Sequence, residues 1–301
     1  MTRTFCRDIC CAADEPMAGT GKLAERYLIL RWPRAKWRHR RDSADGMTPA
    51  LSQAIGAATA AGLYVALCDR TGDTDALPDL YDPATGATIH RADQATLAAL
   101  ITNASAGAAI GAPAPHPAHT ILVCTDSRRD PCCAKWGYAT YRALDAIADP
   151  AQTRVLQAAH LGGCKYAASL VLLPTRQRYG RLDAETAPAF LAAITSGQPY
   201  LPGFRGDPTR SPPEQVAHLA LLQQAAGAPV TLQAAPPLDA NATSCTVHGQ
   251  IGSYPATVHL HRHDFTTPAR CAAIGTPPAP SPRWLVHRID SNAPPTQGTP
   301  A

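Results

Sequence analysis

Aromatic residues are scarce in this 301-residue chain, at 6%, and charged residues make up only 17%. The formal balance is a mild +4. A nucleic-acid-binding chain carries a stronger, clustered cationic excess, so that class is set aside. No apolar run is long enough to span a bilayer. The start, MTRTFCRDICCAAD, has charges and cysteines where the apolar core of a signal peptide would stand. The expected setting is therefore a reducing cytoplasm. The GTGK stretch from Gly19 to Lys22 lacks the frame of a phosphate-binding loop: Pro16 stands where its first Gly belongs, and Leu23 where Ser or Thr belongs. No internal repeat is visible.

Against these absences, 45% of residues are hydrophobic, enough for one large core or two modest ones. The 29 Pro and 21 Gly imply many loops. Ten cysteines in a reducing compartment point to metal ligands, redox thiols or core packing rather than a disulfide framework.

Hydrophobic patterning predicts an α/β fold. RYLILRW (Arg26 to Trp32) and GLYVALC (Gly62 to Cys68) have the length and β-branched or aromatic content of strands. Between them Thr48 is placed as an N-cap, with Pro49 at the first helical position, and the helix runs to Gly62. Arg91 to Ser105 is a second helix. A linker rich in Gly, Ala and Pro spans Ala106 to His119. Then follow a strand (His119 to Cys124), a helix (Tyr138 to Ala148), a strand (Thr153 to His160), a hairpin around Thr175 and a helix (Ala184 to Thr195). That β-α-β-β-β-α order is thioredoxin-like. A capped helix follows over Ser211 to Gly227. The expected organisation is a degenerate thioredoxin-like α/β region over 1–110, a thioredoxin-like ferredoxin domain over 117–228, a small β appendage over 229–290, and a disordered tail over 291–301.

The chemistry concentrates in CTDSRRDPCCAKWG, from Cys124 to Gly137. Eight residues separate Cys124, at a strand end, from Cys133, just before a helix. After 26 more residues comes HLGGC, with His160 and Cys164 at the next strand end. Gly162 and Gly163 allow a tight turn there. Three thiolates and one imidazole suit tetrahedral zinc. They also suit a [2Fe–2S] cluster, with two ligands per iron. Spacing alone does not choose.

These motifs resemble the sucrase/ferredoxin-like (Apd1-type) family, itself similar to thioredoxin-like ferredoxins. The family pattern is Cys, eight residues, Cys after Arg-Asp, then His-x-Gly-Gly-His. Here it reads Cys124, then Arg129-Asp130-Pro131-Cys132-Cys133, then His160-Leu161-Gly162-Gly163-Cys164. The continuation HLGGCKYAASLVLLPTRQRYGRLD, the segment FRGDPTRSPPEQVAH and the stretch EPMAGTGKLAERYLIL resemble the family as well. The resemblance implies a [2Fe–2S] cluster held by Cys124, Cys133, His160 and Cys164, and an electron carrier or redox module rather than a stand-alone enzyme. Its partner would be a redox protein, donor or acceptor. Cys164 replaces the family's second His, so the potential is expected between those of two-His and four-Cys sites. A proton on the second nitrogen of His160 would make that potential pH-dependent.

Other readings stand beside this one. A thiol-disulfide protein lacks its usual Cys-x-x-Cys here, and a structural zinc module would use the same four donors. Cys132 competes with Cys133, but the Arg-Asp alignment favours Cys133 and leaves Cys132 a bystander. Cys6, Cys10 and Cys11 are read as buried or surface thiols, with a second metal site the alternative. His259, His261 and His263 share one strand face and are read as solvated, with metal binding the alternative. Cys68, Cys245 and Cys271 are read as core thiols. Arg128, Arg129 and Lys135 flank the cluster loop, either to offset charge and guide a partner or as ordinary loop cations. The basic stretch Arg31 to Arg41, with Trp32 and Trp37 interleaved, is a solvated loop or a docking patch for an acidic partner.

Overall fold

A computed structural model describes residues 3–22, 24–72, 77–234 and 238–293. Leu23 and most of the expected tail, residues 294–301, lie outside them. The elements in chain order are α1 (Cys6–Ala12), β1 (Arg26–Arg31), α2 (Pro49–Ala60), β2 (Leu63–Asp69), β3 (Leu80–Tyr81), β4 (Thr88–Ile89) and α3 (Gln94–Ser105). Next come β5 (His119–Cys124), α4 (Tyr138–Ile147), β6 (Thr153–Ala158), β7 (Leu170–Leu173), β8 (Gln177–Tyr179), α5 (Ala187–Thr195), β9 (Phe204–Gly206) and α6 (Pro212–Gln224). Four strands close the chain: β10 (Val230–Leu232), β11 (Ser244–Ile251), β12 (Tyr254–Phe265) and β13 (Ser281–Ser291).

Nine strands form one mixed sheet in the order β4-β3-β1-β2-β6-β5-β7-β8-β9, and β10 to β13 form a separate antiparallel sheet. The fold is therefore the α/β architecture with a thioredoxin-like unit and a small β appendage that the sequence predicts. In the second unit β5 runs parallel to β6 and antiparallel to β7, which is antiparallel to β8. The first unit has the same plan. β1 runs parallel to β2 and antiparallel to β3, which pairs antiparallel with β4. The two units meet edge to edge where β2 pairs antiparallel with β6, Cys68 opposite Ala158. The shared plan fits the expected thioredoxin-like first region, although no repeat is visible in the sequence itself. β3 and β4 have two residues each, too few to show a hydrophobic period in sequence.

Alternation along the strands divides the core. Leu28 and Leu30 of β1 pack with the α2 and α3 residues Ile55, Leu97 and Ile101. Ile121 and Val123 of β5 pack with Leu144 of α4 and Phe190 of α5. The alternate residues, Tyr27 and Ile29 of β1 and Leu122 and Cys124 of β5, share a third cluster with Tyr64, Cys133 and Cys164. Both units therefore contribute to the core in which three of the predicted donors sit. The helix ends follow the sequence cues: Thr48 caps α2 by accepting from Leu51 N–H, with Pro49 first in the helix.

The blocks of family resemblance converge in space. Glu15 is fully buried and accepts from Lys165 Nζ at 2.7 and 2.8 Å, from Tyr166 Oη at 3.0 Å and from the Thr267 hydroxyl. Arg283 of β13 pairs with the same carboxylate at 2.7 Å. The N-terminal stretch, the turn after Cys164 and the C-terminal sheet are thus tied at one carboxylate. Burial alone would raise its pKa, but Lys165, Thr267 and Arg283 together hold it below the ordinary value.

Candidate metal centre

Cys124 is the last residue of β5 and is paired in register with Ala158 of β6. A turn follows, in which Arg129 and Asp130 N–H both donate to the Asp126 carbonyl at 3.2 Å. Pro131 opens the next helical segment, which runs into α4 through a wide π turn at Cys133–Gly137. That turn lies so close to the strand end that a Cβ on Gly137 would sit 2.0 Å from the Cys124 carbonyl oxygen. Only glycine permits the approach, and the approach sets Cys133 Sγ 3.5 Å from Cys124 Sγ.

The second loop leaves β6 at Ala158. Gly163 adopts φ +78°, and the chain turns into the short helical piece Cys164–Tyr166. A side chain on Gly163 would also meet the Arg205 guanidinium at 2.7 Å. The turn brings His160 Nδ1 to 3.7 Å from Cys164 Sγ. The His160 carbonyl accepts from Tyr64 Oη of the first unit at 2.7 Å. Cys124 and Cys133 are 1% exposed and Cys164 is 5% exposed, while His160 is half-buried. The four predicted donors are therefore brought together as two close pairs.

Their protonation is coupled. The Cys133 thiol donates to Cys124 and, against the cost of burial, holds Cys124 well below an ordinary thiol, with His160 helping. Cys133 is pushed well above by Cys124, Cys164 and burial. Cys164 is lowered to about 6, first by Cys133 and then by His160, again against burial. Burial lowers His160, but Cys124 and Cys164 outweigh it and raise the ring to about 9. Two thiolates beside an imidazolium are what these positions favour without a metal, and deprotonated sulfur is the form that ligates.

Two cations that sequence reasoning missed hold the second loop from inside. Arg178, 2% exposed, donates to the Leu161 carbonyl at 2.7 Å and to Tyr27 Oη at 2.7 Å. Arg205, also 2% exposed, donates to the Thr20 carbonyl and hydroxyl at 3.0 Å and to the Gly162 carbonyl at 3.4 Å. Burial lowers the Arg205 pKa to about 10, partly offset by Tyr166 and Cys164. The signal was present in the family-like blocks RQRYG and FRG, but nothing in sequence marks an arginine as buried.

The expected loop cations have other contacts. Arg128 donates to the Trp37 and Ala35 carbonyls at 2.8 and 2.7 Å. Arg129 lies 2.6 Å from His39 Nε2. Lys135 Nζ sits over the rings of Phe5 and Trp136 at 4.6 and 4.3 Å. The cluster loop and the basic stretch Arg31 to Arg41 therefore form one face. A cavity of about 330 Å³ opens there, lined by His39, Arg40, Arg41, Arg129 and His160 and by Asp42. Trp32 and Trp37 do not present rings to a partner. They are 9% and 1% exposed, and Trp37 Nε1 donates to the Trp32 carbonyl at 2.8 Å.

Among the remaining predicted candidates, Cys68 is buried and Cys11 is exposed. Cys10 Sγ lies 3.5 Å from Glu15 Oε2. Cys245 is half-buried. His259 is engaged by Asp290 at 3.0 Å, and His263 packs on Phe265. Alternate positions on a strand lie about 7 Å apart, which does not converge three rings on one ion. Cys6, Cys132 and Cys271 differ from the expectation. Read as a surface or buried thiol, a bystander and a core thiol, they are gathered in space together with Asp130.

This α/β pair of units, with four thiol and imidazole donors at the strand ends of the second, describes a class of protein rather than one activity. The family model described as sucrase/ferredoxin-like matches residues 17–206, well over half of the chain. The chain belongs to that family. Among solved structures, it is similar to a thioredoxin-like [2Fe–2S] ferredoxin from Aquifex aeolicus at 17% identity, covering 29% of this chain and 90% of that one, with a TM-score of 0.27. The wild-type form of that ferredoxin at 1.5 Å resolution gives the same identity, share of this chain and TM-score, with 96% of that chain covered. No curated protein matches the chain. Among the described residues, no helix is long and apolar enough to cross a membrane.

Proposed function

We propose that this protein is a one-electron carrier whose [2Fe–2S] cluster is held by Cys124, Cys133, His160 and Cys164. The observation that carries the reading is the arrangement of these donors as two pairs, 3.5 Å and 3.7 Å apart, in a shared core. Two donors per iron is what such a cluster needs, and burial keeps water from its sulfurs. When bound, the cluster supplies a reversible single-electron couple.

The residues around it have definable tasks. Arg205 and Arg178 fix the second loop through its carbonyls and place positive charge beneath a site rich in thiolate. Tyr64 fixes the His160 backbone, so the first unit serves as a scaffold for the second. The half-buried ring of His160 faces the cavity lined by Arg40, Arg41 and Arg129. That face suits a redox partner with an acidic surface, with Arg128 and Lys135 beside it. The predicted cytoplasmic setting, with reduced thiols, is compatible with this role.

Anaerobic purification with iron and sulfide quantitation tests the reading. The expected result is a reddish protein whose visible bands bleach on dithionite, with iron and acid-labile sulfide in equal amounts. A folded but colourless protein carrying zinc at these four residues overturns it. Midpoint potential falling as pH rises would locate a redox-linked proton on His160.

A further inference from the structure

We propose that Cys6, Asp130, Cys132 and Cys271 form a second metal site, separate from the first, that binds zinc and staples three remote segments of the chain. Its donor atoms all lie within 4.8 Å of one another. The sulfurs are 3.5 Å apart for Cys6 and Cys132, 3.3 Å for Cys132 and Cys271, and 3.7 Å for Cys271 and Cys6. Asp130 Oδ2 lies 3.9 Å from Cys6 Sγ. Zinc bound tetrahedrally at about 2.3 Å from sulfur spaces its thiolates by about 3.8 Å, close to this triangle.

Burial adds a second argument. Cys6 and Cys132 are 0% exposed and Asp130 is 1% exposed. Among the described residues, no Lys or Arg pairs with Asp130. Its oxygens accept instead from Cys132 N–H and Cys271 N–H, both at 2.8 Å. A buried carboxylate without a cation is costly, and a bound cation removes that cost. The two amides orient the carboxylate, and Cys6 N–H donates to Cys271 Sγ at 3.4 Å. Phe5, Trp136 and Ile274 cover the group, and Arg7 and Lys135 stand over the Trp136 ring at 4.6 and 4.3 Å. Three sulfurs and one oxygen around a single centre select zinc over the hard cations.

The placement explains why Cys132 stands beside Cys133. Adjacent positions on a helix point about 100° apart. Cys133 faces the first site and Cys132 the second. The second site anchors α1 and the Cys271–Ala273 turn to the helical segment that presents Cys133. The proposal does not depend on which group the first site holds.

The test uses the full chain, produced with iron and zinc and purified anaerobically, with metals counted per chain. Whatever the first site holds in the parent, the Cys124→Ser/Cys164→Ser variant is expected to retain about one zinc. The Cys6→Ser/Cys271→Ser variant is expected to lose it. Cobalt(II) added to metal-stripped parent should give tetrahedral thiolate bands and, against the same protein without cobalt in mild urea, slow alkylation of Cys6, Cys132 and Cys271, read residue by residue by mass spectrometry. That protection reading remains decisive if the double variant does not fold. Zinc that disappears with Cys124 and Cys164 overturns the proposal. So does a Cys6–Cys132 disulfide in the anaerobic protein, or cobalt that leaves the three thiols unprotected.

Discussion

The two thiol clusters of this molecule touch neighbouring residues of one helical segment but are built in opposite ways. The first draws Cys124, Cys133, His160 and Cys164 from two loops at adjacent strand ends, all within 41 residues. The second draws Cys6 from α1, Asp130 and Cys132 from the segment after β5 and Cys271 from a turn beyond β12, with Cys6 and Cys271 265 positions apart. A site of the first kind is created by one supersecondary unit and writes itself as a spacing. A site of the second kind exists only after the tertiary fold has closed, and its donors look unrelated in sequence. The first is thereby suited to a group that the unit must present to a partner, and the second to holding the ends of the chain in place.

Glu15 links the two regions, because it ties the Lys165–Tyr166 turn beside Cys164 to Thr267 and Arg283 on either side of Cys271. Glu15→Ala is the largest perturbation we expect. It leaves Lys165 buried without its partner, at a cost of about 3–5 kcal/mol, and should loosen both clusters together. Urea denaturation measures the loss. The carboxyl is held below its ordinary pKa, so its contribution is present above the unfolded value near about 4.3 and fades as pH falls through the lower folded value. Parent and variant should converge in acid. A midpoint unchanged at neutral pH would show that the two regions are held independently.

Cys133→Ser separates the clusters instead. It removes one donor of the first pair and should abolish iron binding while leaving alkylation protection at Cys6, Cys132 and Cys271 intact. If iron is retained while Cys6 and Cys271 lose their protection, Cys132 has taken over from Cys133, and the division of labour between the adjacent cysteines is wrong. A smaller effect is expected from Gly163→Ala. The residue sits at φ +78° against the Arg205 guanidinium, so the substitution should cost about 1–3 kcal/mol. Its effect should be confined to the first cluster, read as faster iron loss to a chelator. Faster zinc loss in the same variant would show strain reaching the second.

The same contrast accounts for what sequence conveys here. β1, α2, β2, β5, α4 and β6 were legible because their apolar runs are long and their caps are local: Thr48 with Pro49, and Gly163 in the ligand turn. The tandem relation of the two units was legible only as a degenerate first region, not as a repeat in the sequence. It rests on two-residue strands and on strand ends that carry different chemistry. Where β5 ends in Cys124, β1 ends in Arg31, bonded to Asp79 at 2.7 Å. The buried positions of Arg178, Arg205, Trp32 and Trp37 were equally hidden, because an isolated basic stretch reads as surface unless its tertiary partners are known. Trp32 and Trp37 anchor that stretch to the core, and their rings do not face a partner.

The smallest expected effect leaves both clusters in place and changes only one potential. Cys164→His restores the pattern that the sequence motif resembles, replacing a thiolate with a neutral imidazole. The site loses one negative charge, so adding an electron becomes easier. The midpoint potential should rise, on the order of 100 mV, with visible bands retained. Arg205 lies beside Cys164, and its buried positive charge favours the reduced form with either ligand at position 164. Removing the same guanidinium by Arg205→Met in the Cys164→His background should return part of the shift. Spectroelectrochemistry on the single and double variants separates ligand charge from surrounding charge. A potential indifferent to Cys164→His would mean that Cys164 is not a donor, and the first cluster would then lose its second pair.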